Sequence, residues 1–342
     1  MKRTLLIALL LLSAVATNAQ DFKTPIEYLN FIGKESDIIS KNTWKYTKAV
    51  AHSKSARKID ATRKGLIKSI QAASKKIASA KDGYKGDVEY RDQLLAYLSI
   101  SEKYINDEYD KIIDMQEVAE QSYDFMEAYI TARDLVNEKI NLEVDKLNAN
   151  QKAFANKYNI TITDDQSALA KNMEISNEVF GHQSDMYLLF FKVYITDANL
   201  MKAVEANDLS SIQQNASALE QYADEGLGKV KTAKPYKNDM ALASATKKVL
   251  EFYKKEAVEF TPEIVNFMMT KQKMEDSEKS MKSKSAPSKD EVNAYNKLVK
   301  DFNTLLGTYN KSNTKFFTEK NNAINAWNTA GESFVSKHVP KD

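Results

Sequence analysis

Apolar residues recur along this chain at steps of three, four and seven, with few residues that would interrupt a helix. From Val88 onward, Leu94, Leu98, Ile105, Tyr109 and Ile112 share one helical face, and Val136, Ile140, Leu147, Phe154 and Tyr158 form a second stripe. Tyr295, Phe302, Tyr309 and Phe316 step by seven, the spacing of a seam that meets a neighbouring helix in a bundle. Met186 to Ile195 is apolar enough for a buried strand, but it lies inside a helical segment without turn signals, so it reads as a helix surrounded by partners. Runs of β-branched residues between turns are otherwise nearly absent. The pattern predicts an all-α protein built of elongated antiparallel helical bundles.

Starts and stops come from the punctuating residues. Thr24-Pro25-Ile26-Glu27 supplies a capping threonine, a first-turn proline and a glutamate three residues after the cap, which predicts a helix start. A break is expected near Ala51 to Ser55, a helix to about Ala80, and a loop from Lys81 to Asp87 that ends in an aspartate cap. Thr163-Asp164-Asp165-Gln166 predicts a helix from about Asp164 to Ala206, and Asp208 should cap the next, which is expected to stop near Gly226 and Gly228. Pro262 either kinks the helix that begins near Asp239 or restarts it behind Thr261. Ser288-Lys289-Asp290-Glu291 then opens a last helix toward Val335. With only Gly 9 and Pro 5 in the chain, helices should be long, and one of roughly 40 residues spans about 60 Å.

The sequence also resembles itself. Residues 76–87, Lys-Ile-Ala-Ser-Ala-Lys-Asp-Gly-Tyr-Lys-Gly-Asp, match residues 229–239, Lys-Val-Lys-Thr-Ala-Lys-Pro-Tyr-Lys-Asn-Asp, with one deletion. Downstream, Leu98 falls opposite Leu250, Ile112 opposite Ile264 and Ile113 opposite Val265. Ala128-Tyr129 answers Ala294-Tyr295 and Leu147 to Phe154 answers Tyr309 to Phe316, with some drift of register. Shared lysine-rich composition is the alternative. A duplication predicts two related units of about four helices each, residues 20–160 and 161–342, after an N-terminal segment of residues 1–19.

That segment has Lys2 and Arg3, an apolar run from Leu5 to Leu12, and small residues up to Ala19. This is the layout of a secretory signal peptide, with cleavage expected after Ala19 or alternatively Ala16. The run is too short to cross a bilayer. Losing Lys2 and Arg3 takes the basic count from 49 to 47, equal to the acidic count of 47. A chain neutral overall, with its charges interspersed, is expected to have no long-range attraction for nucleic acid or an anionic membrane. Cysteine is absent, which removes both disulfides and a cysteine-linked lipid anchor, so stability must come from packing. The expected location is the periplasm or the cell surface, with no transmembrane segment after signal removal.

Catalytic signatures are missing: there is no G-x-S-x-G, H-E-x-x-H or P-loop pattern, and His52, His182 and His338 lie far apart in sequence. No enzyme and no cofactor is therefore expected. The nearest approach to a site is Glu178, His182 and Asp185, spaced to share one helix face and able in principle to bind a divalent metal. A bundle di-metal centre, however, needs Glu-x-x-His pairs from two helices. Gly181-His182 followed by Asp185 resembles the G-x-H-x-x-E motif of imelysin-like exported proteins, departing from it in the missing spacer and in the aspartate. As a whole, the chain resembles exported all-helical proteins, of the domain-of-unknown-function kind, from bacteria with two membranes. That resemblance implies no active site. The expected function is non-enzymatic binding of an unknown protein or cell-envelope partner along helical faces; a small-ligand or metal-binding bundle and a membrane-active protein are the alternatives.

Overall fold

A computed structural model describes residues 21–119, 123–162 and 167–341, and these form α-helices joined by short connections. In chain order they are α1 (Pro25–His52), α2 (Ala56–Ser79), α3 (Glu89–Ala119), α4 (Tyr123–Lys157), α5 (Ala168–Glu205), α6 (Leu209–Thr232), α7 (Ala241–Lys255), α8 (Thr261–Lys282) and α9 (Lys289–His338). A π-helical turn, Glu256–Phe260, joins α7 to α8. No strand occurs among the described residues, and the fold is an all-α bundle. The N-terminal residues 1–19, Thr163–Gln166, and the side chains of Tyr109, Ile112, Ile113, Ala128, Tyr129 and Val136 lie outside what is described.

Local capping chemistry fixes most helix starts. Thr24 Oγ1 accepts from the Glu27 amide at 3.1 Å, while the Glu27 carboxylate accepts from the amide of Lys23 at 2.9 Å, one residue upstream of the usual capping-box donor. Asp208 Oδ1 accepts from the Ser211 amide at 3.1 Å. Ser288 and Glu291 form the full reciprocal capping box of α9. The start of α5 differs from expectation, because Ser167 caps it by accepting from the Ala170 amide at 3.2 Å and the helix begins at Ala168.

One expectation about breaking residues is corrected. Helix α6 does not stop at Gly226 or Gly228 but runs to Thr232. Gly226 is buried against Leu250, where a Cβ would come within 2.9 Å of Leu250 Cδ1, so this glycine provides close helix approach rather than a stop. Of the two readings of Pro262 the restart holds: α8 begins at Thr261 with Pro262 in its first turn, although Phe260 and not Thr261 takes the cap position. The chain passes through the π turn, whose wider ring shifts the hydrogen-bond register just before the residue that lacks an amide. Thr261 Oγ1 donates to the Glu256 carbonyl at 3.1 Å within that turn.

Contacts divide the chain into two compact units that are not consecutive in sequence. The described part of the first comprises residues 21–43, 61–107 and 136–162, and that of the second residues 44–60, 108–119, 123–135 and 167–341. This division cuts through α1, α2, α3 and α4, and one further boundary falls between α4 and α5. In the first unit, Tyr28 and Ile32 of α1, Leu66, Ile70 and Ile77 of α2, Leu98 of α3 and Phe154 of α4 are buried. In the second, α5 contacts α6, α7 and α9, which explains why its Met186–Ile195 stretch is apolar nearly all round. Phe190 stacks on Trp327 with centroids 4.1 Å apart, and Trp327 Nε1 donates to Thr246 Oγ1 at 3.0 Å, tying α5, α9 and α7 together. The seven-residue seam packs as expected: Phe316 stacks on Phe260 at 4.3 Å, and Tyr309 and Phe302 lie against Phe267 at 4.4 and 5.5 Å.

Candidate functional site

Three places in the second unit carry chemistry beyond plain packing. The first is the helix face bearing Glu178, His182 and Asp185. His182 lies against the rings of Phe334 (5.2 Å) and Tyr236 (6.1 Å), and the Tyr236 hydroxyl donates to Glu178 Oε2 at 3.2 Å. Burial holds the His182 pKa below its ordinary value, helped by the nearby His338 and opposed by Asp185 and Asp239. His182 Nε2 is buried without a hydrogen-bond partner, and among the described residues no three His, Asp or Glu side chains converge as metal ligands. Tyr236 stands between Glu178 and His182, its hydroxyl on the carboxylate and its ring against the imidazole. His338 pairs with Asp239 at 2.8 Å, and the third histidine, His52, faces the Pro340 carbonyl at 3.4 Å.

This corner has a counterpart in the first unit. Tyr84 and Asp87 exchange backbone hydrogen bonds of 3.1 and 3.0 Å around Lys85 (φ 51) and Gly86 (φ 85). Tyr236 and Asp239 likewise bridge, around Lys237 (φ 46) and Asn238 (φ 65), a pair of left-handed residues that defines a type I′ turn. Asp87 Oδ2 binds Lys157 Nζ at 2.8 Å, and Asp239 Oδ2 binds Lys337 Nζ at 2.6 Å. Tyr84 meets Phe154 and Tyr158 with centroids at 6.2 and 5.0 Å; Tyr236 meets Phe334 and His338 at 5.7 and 5.1 Å. Even the ring against the phenylalanine is repeated, Tyr28 on Phe154 at 5.2 Å and His182 on Phe334 at 5.2 Å. The structural counterpart of Phe154 is thus Phe334, whereas the sequence register placed Phe316 opposite it.

The second place is a set of buried charges that sequence reading missed. Lys320 Nζ of α9 lies 2.7 Å from Asp197 Oδ1 of α5 and 2.8 Å from Glu256 Oε1 at the head of the π turn. The three side chains are 8%, 8% and 1% exposed. One cation between two carboxylates leaves a surplus negative charge in a medium that solvates it poorly. Burial first, and the neighbouring Asp197 second, raise the Glu256 pKa from 4.5 to about 7. Burial also raises that of Asp197, against the pull of Lys320. For Lys320 burial acts downward, but the two carboxylates outweigh it and hold its pKa above the ordinary lysine value. Beside them the hydroxyl of Tyr253, kept protonated by burial and by Asp197 and Glu256, has no hydrogen-bond partner, nor has Glu256 Oε2. The signal that could have found this set is a charge on an apolar helix face: Lys320 follows Phe316 by four residues, and Glu256 stands between Tyr253 and Phe260.

The third place is a groove between α6 and the π turn with α8. Ala216, Ala257 and the half-buried Val265 form its apolar base, Gln213, Ser217 and Asn266 its polar rim, and Met269 lies along it 45% exposed. Thr261 and Pro262, the first residues after the π turn, also line it. No helix among the described residues is long and apolar enough to cross a membrane. No family model matches this chain, and no curated protein or solved structure shows significant similarity to it.

Proposed function

We propose that this is an exported, non-enzymatic helical protein of the periplasm or cell surface that holds a macromolecular partner along a helical face. The groove between α6 and α8 carries this reading, because an apolar base with an exposed methionine and a polar rim is the anatomy of a protein-binding surface. The N-terminal signal-like segment supports export. The matched turns at Tyr84 and Tyr236, with their matched lysine, aspartate and aromatic contacts, support descent of the two halves from one duplicated helical unit.

A photo-crosslinking residue at position 269, compared in intact cells with one at the exposed Lys202 of α5, tests the binding reading. The expected result is a discrete adduct from position 269 in the envelope fraction. Recovery of the protein from the cytosol with its N-terminus uncut, or identical adducts from both positions, would overturn it.

A further inference from the structure

The π turn joins the buried charges to the groove. Glu256, its first residue, reaches Lys320 of α9, which also holds Asp197 of α5; Ala257, its second, lies in the base of the groove. Thr261 belongs to both places, because its hydroxyl donates to the Glu256 carbonyl at 3.1 Å and it lines the groove beside Pro262. A movement of Glu256 is therefore carried to the groove wall within one turn.

Among the described residues, Asp197, Glu256 and Lys320 are the only buried charged side chains of the second unit. The two carboxyl groups lie within hydrogen-bond reach of each other as well as of Lys320. Two carboxyls can bond to each other only while one of them keeps a proton. Tyr253 of α7 faces the pair with a hydroxyl that has no partner, Glu256 Oε2 has no donor, and Tyr194 of α5 stands near that hydroxyl. The neighbouring charges of the packed elements lie outside the site. Glu259 of the turn, Glu263 of α8 and Glu220, Asp224 and Glu225 of α6 are exposed, and Glu319 of α9 pairs with Lys255 of α7 at 2.9 Å. Without its proton the site would hold two negative charges against one positive where water cannot solvate them.

We propose that Glu256 is a proton-operated latch on the α6–α8 groove: protonated and bonded to Asp197 it holds the π turn inward, and loss of the proton drives the carboxylate out and reshapes the groove wall. The turn can yield because it carries one residue more than the α-helix around it, so its hydrogen-bond register can slip by one residue, about 1.5 Å along the axis. The shape with Glu256 inside is the protonated one. Burial, which raises the Glu256 pKa to about 7, places the change near neutral pH. As control of partner capture, this rests on the groove being the binding surface.

The chain has no cysteine, so Gln213→Cys with Asn266→Cys puts two nitroxide labels on the groove rim of the full chain and nowhere else. Pulsed electron paramagnetic resonance should show the distance between them shifting by about 1.5 Å or more between about pH 5 and about pH 8. Adding Glu256→Gln, which cannot lose a proton, should abolish the shift. Asp197→Asn should abolish it too, since a lone Glu256 carboxylate is balanced by Lys320, and this second variant serves if the first lacks the helical circular dichroism of the parent. His182→Gln should leave the shift in place. A distance that is the same at both pH values, a shift that survives in folded Glu256→Gln or Asp197→Asn, or a shift lost in His182→Gln would each overturn the latch. No partner enters this measurement, so a missing adduct at position 269 sinks the binding reading alone, and an unmoved label pair sinks the latch alone.

Discussion

Lys320 and Glu256 meet at 2.8 Å with their side chains 8% and 1% exposed, and Asp197 completes the set from the other side at 2.7 Å. Removing a cation from such a site leaves two carboxyl groups in a place that cannot solvate them. Lys320→Met should lower unfolding free energy by about 3–5 kcal/mol in chemical denaturation. Adding Asp197→Leu and Glu256→Met should recover much of the loss, because matched apolar side chains need no counter-charge. A triple variant no more stable than Lys320→Met alone would contradict this.

The same site makes stability depend on pH. Glu256 has its folded pKa raised from 4.5 to about 7, so its contribution is fully present below 4.5 and is lost as pH rises through about 7. Asp197, also raised, acts in the same direction. His182, whose pKa is lowered by burial, acts in the opposite direction, contributing above its ordinary 6.5 and losing that contribution as pH falls. The comparison with Glu256→Gln separates them, since glutamine keeps an acceptor for Lys320 and does not titrate. Melting curves of the parent should fall relative to those of the variant between about pH 5 and about pH 8. Parallel curves would show that Glu256 does not hold a proton in the folded state.

Two glycines inside α6, Gly226 and Gly228, should respond oppositely to alanine. At Gly228 nothing lies within 4 Å of the new Cβ, so Gly228→Ala should stabilise by about 0.5–1 kcal/mol through helix propensity. At Gly226 the Cβ comes within 2.9 Å of Leu250 Cδ1, so Gly226→Ala should lose about 1 kcal/mol or more despite the same propensity gain. Thermal denaturation of the two single variants reads both signs.

Gly83 has φ +55, and a Cβ there would lie 1.9 Å from the Asp87 carbonyl oxygen. Gly83→Ala should therefore disrupt the turn that pairs Tyr84 with Asp87 and cost at least about 2 kcal/mol. The second turn lacks this residue. Asn238→Gly, at φ 65, should leave stability within about 0.5 kcal/mol of the parent. Denaturant midpoints for both variants check the contrast.

What the sequence revealed and what it hid divides by the range of the interactions involved. Thr24, Asp208 and Ser288 each act on an amide three residues away, so their helix starts could be read directly. Gly226 was misread because its effect depends on Leu250, on another helix. Glu178, His182 and Asp185 were correctly placed on one helix, but what decides their role is Tyr236 and Phe334, which arrive from a turn and from α9. Asp197, Glu256 and Lys320 come from three separate helices, and no local pattern announces that they pair. The turn resemblance was visible because both copies keep Tyr-Lys and a final Asp; the match of Phe154 to Phe334 was hidden by the greater length of α9, which has 50 residues where α4 has 35.

The π turn ahead of α8 sets the phase of everything after it. A π turn is an α-helix with one residue too many, so deleting a single residue between Glu256 and Phe260 would rotate α8 by about 100° about its own axis. Phe267 would swing away from Tyr309 and Phe302, and Met269 would leave the groove. One surplus residue thus acts as the angular setting of the whole α8–α9 hairpin.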